Sequence, residues 1–192
     1  STASARQRSQ EGNYSDTFIM INVDYDKRNQ KYQTSDGFRS FYSIDLPLIS
    51  DTNTLTNTYS YTFYNELYDE NVSSISFFAK AANSVTSDDI KLSERLFLPG
   101  KKLRGFEQGK IGPKDGADYI GGNFISSVNI TSTIPQILPN SENTDFVLFM
   151  DVANIWGVDY DSSIDASNKI RSSVGFGIDW FSILGPINFS LS

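Results

Sequence analysis

Histidine and cysteine are both absent from this chain of 192 residues. Histidine is the side chain most often used for acid–base chemistry near neutral pH, and it is also the commonest metal ligand. Its absence, with that of cysteine, excludes histidine-dependent triads, cysteine–histidine nucleophile pairs and zinc sites built from these ligands. Only carboxylate, serine, lysine or tyrosine chemistry is left to an enzyme, and we expect no metal and no cofactor. The lack of thiols fits an oxidising compartment.

Basic residues are also scarce. The chain has 16 Lys and Arg residues against 23 Asp and Glu residues, which gives a formal net charge of -7 and a pI near 4.5. Recognition of nucleic-acid phosphates depends on clustered Lys and Arg, and no basic stripe is visible in the sequence. We therefore predict no nucleic-acid partner.

Long hydrophobic runs are missing too, since no segment approaches the roughly 18 apolar residues of a transmembrane helix. A membrane-spanning β-barrel remains compatible with the sequence, because each of its strands needs only about 9–11 alternating residues. Residues 1–12 are polar and include Arg6 and Arg8. We interpret them as the remnant of a polar loop and not as a secretion signal.

Apolar and polar residues alternate along most of the chain. In residues 145–156, Phe146, Leu148 and Met150 fall on one face, whereas Asp151 falls on the other. This period of two predicts a β-strand. The same alternation marks seven further segments: residues 15–26, 37–46, 55–68, 72–82, 120–134, 171–181 and 187–191. We therefore predict an all-β protein with about eight antiparallel strands of roughly ten residues each.

One connection is much longer than the others, a Gly-, Pro- and Lys-rich segment at residues 83–117. Loops longer than about 12–15 residues usually carry function or are disordered. Short turns and long polar stretches alternate along the chain, which places this loop on the same side of the sheet as the acidic loop 157–169. We interpret the acidic loop as a flexible surface loop, because its Asp159, Asp161 and Asp165 lack the glycine and the distal glutamate of a calcium-binding loop.

The predicted apolar face is rich in aromatic residues. Trp156 and Trp180 fall at strand ends, where amphipathic rings favour a membrane interface. The opposite face carries Asn, Ser, Thr, Gly, Asp and Arg, as the wet lumen of a membrane barrel does. A soluble β-sandwich with its apolar face inward has the same alternation, and periodicity alone does not separate the two folds.

Residues 103–113, with the sequence LRGFEQGKIGP, resemble the BamA-type outer-membrane assembly factors, the bacterial surface antigen family. The resemblance continues in register through later motifs. These are GGN at 121–123 with Pro135, FMD at 149–151 with NIW at 154–156, SVGFGIDW at 173–180 and GPINFS at 185–190. The weaker TSDGF at 34–38 extends it, so that the resemblance covers residues 13–192. Together and in order, these motifs are far more specific than any one of them.

The resemblance implies half of a sixteen-stranded antiparallel transmembrane β-barrel in the bacterial outer membrane. Residues 13–192 would correspond to strands eight to fifteen, and the long extracellular loop 83–117 would fold into the lumen. The family's periplasmic POTRA repeats, first seven strands and last strand would lie outside this chain. The competing interpretation is a self-contained eight-stranded barrel that acts as a passive channel or an adhesin, since eight strands can close by themselves.

The loop motif Arg104-Gly105-Phe106 is the candidate functional site. Within a lumen, the arginine fork would seek a carboxylate, and both strand parity and the resemblance select Asp151 as its partner. We expect Gly105 to allow a tight turn and Phe106 to pack the loop tip against the barrel wall. The residues expected to shape and support the loop are Gly109, Gly112, Pro113, Gly121 and Gly122.

Two departures from the family pattern affect this site. Pro99-Gly100 stands where the family usually has a glycine pair, and proline cannot adopt the positive φ that glycine allows. Thr131 stands where many members place an acidic residue that faces the lumen. The missing acid removes one partner for Arg104 and makes Asp151 more critical.

The resemblance implies a factor that folds and inserts β-barrel proteins into the outer membrane, and not an enzyme. The implied partners are unfolded outer-membrane client proteins, accessory assembly lipoproteins, and outer-membrane lipids with lipopolysaccharide. In the family, client strands pair at a weak seam between the first and last strands, and neither strand is expected here. The runner-up is a two-partner secretion or translocation relative, which shares the loop motif. An outer-membrane enzyme would need an acid–base cluster, which this histidine-free sequence does not show.

Overall fold

The computed structural model describes residues 8–68, 70–86, 88–134, 137, 143–182 and 185–192. Its strands, in chain order, are β1 (Asp16–Asp26), β2 (Gly37–Ser50), β3 (Thr54–Tyr68), β4 (Asn71–Ser84), β5 (Lys114–Asp115), β6 (Asp118–Tyr119), β7 (Phe124–Ile134), β8 (Thr144–Trp156), β9 (Arg171–Ser182) and β10 (Gly185–Leu191). Short 3-10 helices span Leu92–Glu94, Gly100–Lys102 and Ser162–Ile164. In the described ranges, no helix is long and apolar enough to cross a membrane.

Eight strands form one antiparallel sheet in the order β1-β2-β3-β4-β7-β8-β9-β10. Each strand pairs with the next one along the chain, and only the insertion that contains the β5–β6 hairpin interrupts this meander. The predicted all-β antiparallel fold is therefore confirmed. β1 and β10 lie at opposite ends of the order, and no pairing joins them within the described ranges. Within these ranges, the eight strands therefore form one open sheet.

The strand boundaries follow the predicted alternation, with two larger differences: β2 continues to Ser50, four residues beyond the predicted end, and β7 begins late. The alternation predicts a strand over residues 120–134, whereas β7 begins at Phe124. Gly121 has a φ of +69°, and this left-handed conformation cannot continue an extended strand. The buried Ile120 therefore belongs to the preceding loop and not to the sheet.

One face of the sheet, called the aromatic face below, carries the large apolar side chains. Cross-strand neighbours such as Tyr61, Phe77 and Val128 lie in one row on this face. The face is exposed, and Leu148, for example, keeps 54% of its surface accessible. A sandwich would cover such a face with a second sheet. In the described part of the chain, no second large sheet is present.

The opposite face, called the polar face below, carries the buried residues Ser127, Asn129 and Asp151. The long connection between β4 and β7 packs on the part of this face that β4, β7 and β8 form, and an apolar cluster lies between the two. The members of this cluster are Phe78, Ala82, Ile90, Leu96, Leu98, Leu103, Ile111, Ile125, Ala153 and Ile155. The core is therefore a loop packed on a sheet, and this packing positions the candidate site.

Trp156 and Trp180 lie at opposite ends of the sheet. Trp156 is the last residue of β8, and Trp180 pairs with Thr144, the first residue of β8. The positions of the two tryptophans are about 40 Å apart along the strand direction. At the usual strand tilt, this distance corresponds to about 30 Å along the membrane normal. This spacing matches the thickness of the hydrocarbon core of a bilayer.

Candidate functional site

The long connection, residues 85–123, folds back onto the polar face of β4, β7 and β8. Leu103, immediately before the loop motif, keeps only 1% of its surface exposed, and Leu96 and Leu98 are buried as well. Burial of a leucine side chain contributes about 1.5–3 kcal/mol relative to an exposed one. The connection is therefore a packed part of the fold, and its apolar residues hold the loop motif against the sheet.

Arg104 meets Asp151 where the loop tip touches β8. Its Nε donates to Asp151 Oδ2 over 2.8 Å, its Nη2 donates to Oδ1 over 2.7 Å, and its backbone N–H donates to Oδ2 over 3.0 Å. This is a bidentate fork with a third donor from the main chain, and it suits the planar geometry of arginine and carboxylate. The structure thus brings together the two residues that the sequence paired.

The surroundings of this ion pair strengthen it. The Asp151 side chain is fully buried, while that of Arg104 is 21% exposed, so water competes little for the carboxylate. The guanidinium carbon of Arg104 also lies 3.6 Å from the centroid of the Phe149 ring, which is a cation–π distance. Phe149 and Asp151 are two residues apart on the polar face of β8, and they therefore contact the same arginine.

Asn129 is a further member of the site that the sequence did not reveal. It lies opposite Asp151 in the register of β7 and β8. Its Nδ2 atom donates to Asp151 Oδ1 and to the Lys102 carbonyl oxygen, each over 2.9 Å. The carboxylate thus accepts four hydrogen bonds. Asn129 is two residues before Thr131 and therefore faces the lumen as well, which was the signal in the sequence that could have found it. Thr131 itself does not join the site, because its hydroxyl oxygen lies 2.6 Å from that of Ser74.

The loop tip turns at Gly105, whose φ is +82°, a conformation that glycine adopts without steric cost. The Phe106 ring is 37% exposed in this chain, and its packing against the barrel wall stays a prediction. The turn reverses the chain directly after Arg104, and the chain packs on the sheet again at Ile111, which is buried in the apolar cluster. Leu103, on the near side of the turn, provides apolar packing against the sheet.

Gly121 and Gly122 hold the base of the loop against the sheet. Gly122 forms an antiparallel bridge with Leu96, with N–H···O distances of 2.8 and 3.0 Å. A Cβ atom on Gly121 would lie 2.6 Å from the Leu96 carbonyl oxygen, and one on Gly122 would lie 2.4 Å from that of Trp156. Both distances are too short for a side chain, so the close approach of loop and strands requires this glycine pair.

The remaining predicted support residues lie between the tip and the β5–β6 hairpin. Pro113 is fully buried, and its carbonyl oxygen accepts a hydrogen bond from the Ile120 N–H over 3.1 Å. A Cβ atom on Gly112 would lie 3.1 Å from the Ile155 side chain, whereas one on Gly109 would have nothing within 4 Å. Gly112 and Pro113 therefore pack the loop, and Gly109 only shapes its path.

A second arginine, Arg95, ties the long connection to the acidic loop after β8. Its side chain is fully buried and forms a salt bridge with Asp159, a residue 64 positions away. It also donates to Asn123 Oδ1 over 3.0 Å and to the Gly157 carbonyl oxygen over 3.4 Å. Asp159 Oδ2 accepts a further hydrogen bond from the Ile90 N–H over 2.7 Å. We call this set of contacts the loop clamp.

Residues 157–169, predicted as a flexible acidic surface loop, are mostly exposed or half-buried but also carry specific contacts that the sequence did not reveal. Besides the acid in the loop clamp, Asp165 Oδ1 accepts a hydrogen bond from the Gly157 N–H over 2.7 Å, and Asp161 caps the 3-10 helix that follows it. These carboxylates satisfy main-chain donors of their own loop. Among the residues that the structure describes, no group of three or more side chains could hold a metal ion.

Burial and pairing change the proton affinity of two loop side chains. Burial alone would raise the pKa of Asp159, but the Ile90 N–H and the Arg95 charge outweigh it and hold that pKa below its usual range. Burial lowers the pKa of the Lys102 ammonium group, and the nearby Asp151 charge opposes this change. Asp159 is therefore ionised near neutral pH, which the loop clamp requires.

A cavity of about 390 Å³ opens on the polar face beside the loop tip. Lys101, Lys102 and Arg104 line it from the loop, and Asp179 and Asn188 line it from the strands. The Asn188 side-chain amide donates to Asp179 Oδ1 over 2.7 Å. The lining carries charges of both signs, as a water-filled lumen does, beside the apolar Val147 and Phe189.

Comparisons with known proteins agree with this architecture. The profile of the Omp85 superfamily domain matches residues 1–192. The outer membrane protein assembly factor BamA of Neorickettsia risticii (strain Illinois) is 29% identical over 123 residues, which cover 62% of this chain and 16% of that protein. BamA of Neisseria meningitidis serogroup B (strain ATCC BAA-335 / MC58) is 28% identical over 117 residues, which cover 46% of this chain and 14% of that protein.

A solved structure has the same fold. The crystal structure of BamA from Haemophilus ducreyi lacking POTRA domains 1–3 superposes with a TM-score of 0.79 and 24% sequence identity, over 89% of this chain and 37% of that chain. The likeness at this identity concerns the fold. The chain spans about one sixth of the length of the two curated relatives.

Proposed function

Because this chain belongs to the Omp85 superfamily, we propose that it forms part of the barrel of an assembly factor that folds other β-barrel proteins and inserts them into the outer membrane. The chain lies in the bacterial outer membrane, as its family and its BamA relatives do. In this proposal, residues 13–192 are strands eight to fifteen of a sixteen-stranded barrel, and residues 1–12 belong to the loop before them. The long connections face the cell exterior and the short turns face the periplasm.

The contact between Arg104 and Asp151 carries this proposal. It joins the tip of the long connection to β8, and Asn129 extends the same network to β7. A loop held in this way braces the wall of the barrel over the strands that it covers. The braced wall stays in place while a weaker seam elsewhere in the barrel opens to client strands, which add to the exposed strand edges.

The proposed partners are unfolded outer-membrane client proteins, accessory assembly lipoproteins, and outer-membrane lipids with lipopolysaccharide. The name shared by the two relatives, outer membrane protein assembly factor, supports the client proteins. The exposed aromatic face supports the contact with lipids. The proposal assigns no catalytic residue and no nucleic-acid contact, because strand pairing in a membrane needs neither.

A folding assay tests the proposal. The full-length protein that carries this chain would be reconstituted in liposomes and mixed with a urea-unfolded eight-stranded outer-membrane protein as the client. Folding of the client is followed by its shift in gel migration without heating. We expect the client to fold faster than in protein-free liposomes, and we expect the variant Arg104→Ala to lose most of this acceleration.

Two results would contradict the proposal. Equal folding rates with and without the protein would remove the assembly function. Transfer of the client into the liposome interior, without insertion into the bilayer, would favour the secretion alternative. As a control, Lys110→Ala alters an exposed ion pair of the same loop and should leave the acceleration unchanged.

A further inference from the structure

A groove crosses the aromatic face near the long-connection end of β3, β4 and β7. Its floor consists of small side chains, because Ala79 and Ala81 of β4 lie beside Ser126 of β7. In the strand register, Ala79 lies between Tyr59 and Ser126, and Ala81 pairs with Phe124. Three small residues are thus adjacent on a face that elsewhere carries large apolar side chains.

Aromatic rings border this floor. The rings of Tyr59 and Phe77 lie 6.2 Å apart at one border, and those of Phe124 and Trp156 lie 5.8 Å apart at the other. Tyr42 adds a fifth ring. The open depression between the rings has a volume of about 350 Å³, within the usual range of small-molecule sites. The groove is therefore a shallow depression of the aromatic face, open to the surroundings and bordered by rings.

The groove is almost entirely apolar. Both bordering tyrosine hydroxyls already have partners: Tyr42 donates to Asn57 Oδ1 over 2.6 Å, and Tyr59 accepts from Ser40 Oγ over 3.5 Å. The lining therefore offers few polar groups that could recognise a ligand. The groove suits an occupant that is slender, flexible and without polar atoms along its length.

We infer that this groove binds one acyl chain of a lipid in the outer leaflet. The aromatic face meets the bilayer, and Trp156 marks the end of the sheet that carries the long connections. Left unfilled, the groove would deprive its lining atoms of van der Waals partners. Lipid tails are as apolar as leucine, so the attraction comes from close contact and not from the release of water. Alanine and serine on the floor let a chain of methylene groups approach the strands closely.

The site is distinct from any seam between the ends of the barrel. The groove lies on β2, β3, β4, β7 and β8, inside the sheet, whereas the edges are β1 and β10. The evidence for the lipid site is the shape of the aromatic face and the outer-membrane location. The lipid site therefore does not depend on assembly activity, and the lipid site and the proposed function can each fail without the other.

Photocrosslinking tests the inference. The full-length protein is reconstituted in phosphatidylethanolamine vesicles that contain a trace of the same lipid with a diazirine in one acyl chain, and labelled residues are mapped by peptide mass spectrometry. We expect Ala79, Ala81 and Trp156 to be labelled about three- to tenfold more than Val174, an outward residue that is 67% exposed. This preference corresponds to about 0.7–1.4 kcal/mol.

The double variant Ala79→Leu, Ala81→Leu fills the floor and should reduce labelling of Trp156 to the level of Val174. The matched control is Ser172→Leu, which adds a leucine to an exposed position opposite Val152 on the same face and should leave the labelling unchanged. Gel migration without heating verifies that both variants are folded barrels. Uniform labelling of the whole aromatic face would overturn the inference, since it indicates ordinary bilayer contact. Crosslinking to a protein at the groove in native membranes would overturn it as well.

Discussion

Replacing Arg104 with alanine tests the docked loop most directly. The change removes the Nε and Nη2 hydrogen bonds and the contact with the Phe149 ring, and it leaves the buried Asp151 carboxylate with Asn129 and one backbone N–H. Removal of one partner from a buried ion pair typically costs about 3–5 kcal/mol. Because the arginine side chain is 21% exposed, solvent screening places our expectation at the lower end, about 3 kcal/mol.

A loss of about 3 kcal/mol corresponds to about a 150-fold increase in the population of the open loop tip. Hydrogen exchange at the amides of residues 103–105 measures this population, because the Arg104 N–H donates to Asp151 only while the tip is docked. The control is Lys110→Ala, which breaks an ion pair whose side chains are 59% and 68% exposed. We expect less than about a threefold change from it, since exposed pairs contribute little.

The charge exchange Arg104→Asp with Asp151→Arg tests the pairing itself. Each single change places like charges together in a buried site, whereas the double change restores opposite charges. We expect the double variant to exchange at least about tenfold more slowly than either single variant, a coupling of about 1.4 kcal/mol. The reasoning is refuted if the double variant is no better than either single one, or if Arg104→Ala and Lys110→Ala behave alike.

Three further outcomes are expected. The pKa of Asp159 is lowered in the folded protein, so the loop clamp stabilises the fold fully above the unfolded pKa of about 4 and weakens as the pH falls through the folded pKa. Protease cleavage in the long connection should therefore rise below about pH 4. The variant Asp159→Asn should raise this cleavage already at pH 7. Gly122→Ala forces a Cβ atom to 2.4 Å from a carbonyl oxygen and should clearly lower the urea concentration at the unfolding midpoint. Gly109→Ala has open space around it, so it should lower the free energy of unfolding by only about 1 kcal/mol, because of its positive φ. Asn129→Ala should weaken docking by about 1–2 kcal/mol, seen as a smaller rise in exchange at the loop tip than the arginine change gives.

Strand parity explains why the sheet and the central ion pair could be predicted. A strand between lipid and a wet interior must alternate apolar and polar residues, so each of the eight long strands carries a period of two. The same parity puts Asp151 on the polar face, and the family resemblance connects it to Arg104. The position of a residue along a strand fixes the face to which its side chain points, and this face can be read from the sequence.

Loop side chains have no such rule, and there the sequence predicts less. Leu103 is buried before the turn at Gly105 while Phe106 is exposed after it, although the aromatic ring has the larger apolar surface. Arg95 and Asp159 lie in different loops, 64 positions apart, and no local pattern links them. Their pairing depends on how the two loops cross in space, which only the folded structure gives.

The loop clamp has a consequence for whatever approaches the protein from outside the cell. On the proposed orientation, the long connection and the loop after β8 are both surface segments, and the buried Arg95 holds them as one body. An antibody or a phage receptor-binding protein then meets a composite epitope drawn from two distant stretches of sequence. Synthetic peptides copied from either loop alone will lack that epitope, and antisera raised against such peptides will recognise the intact bacterium poorly.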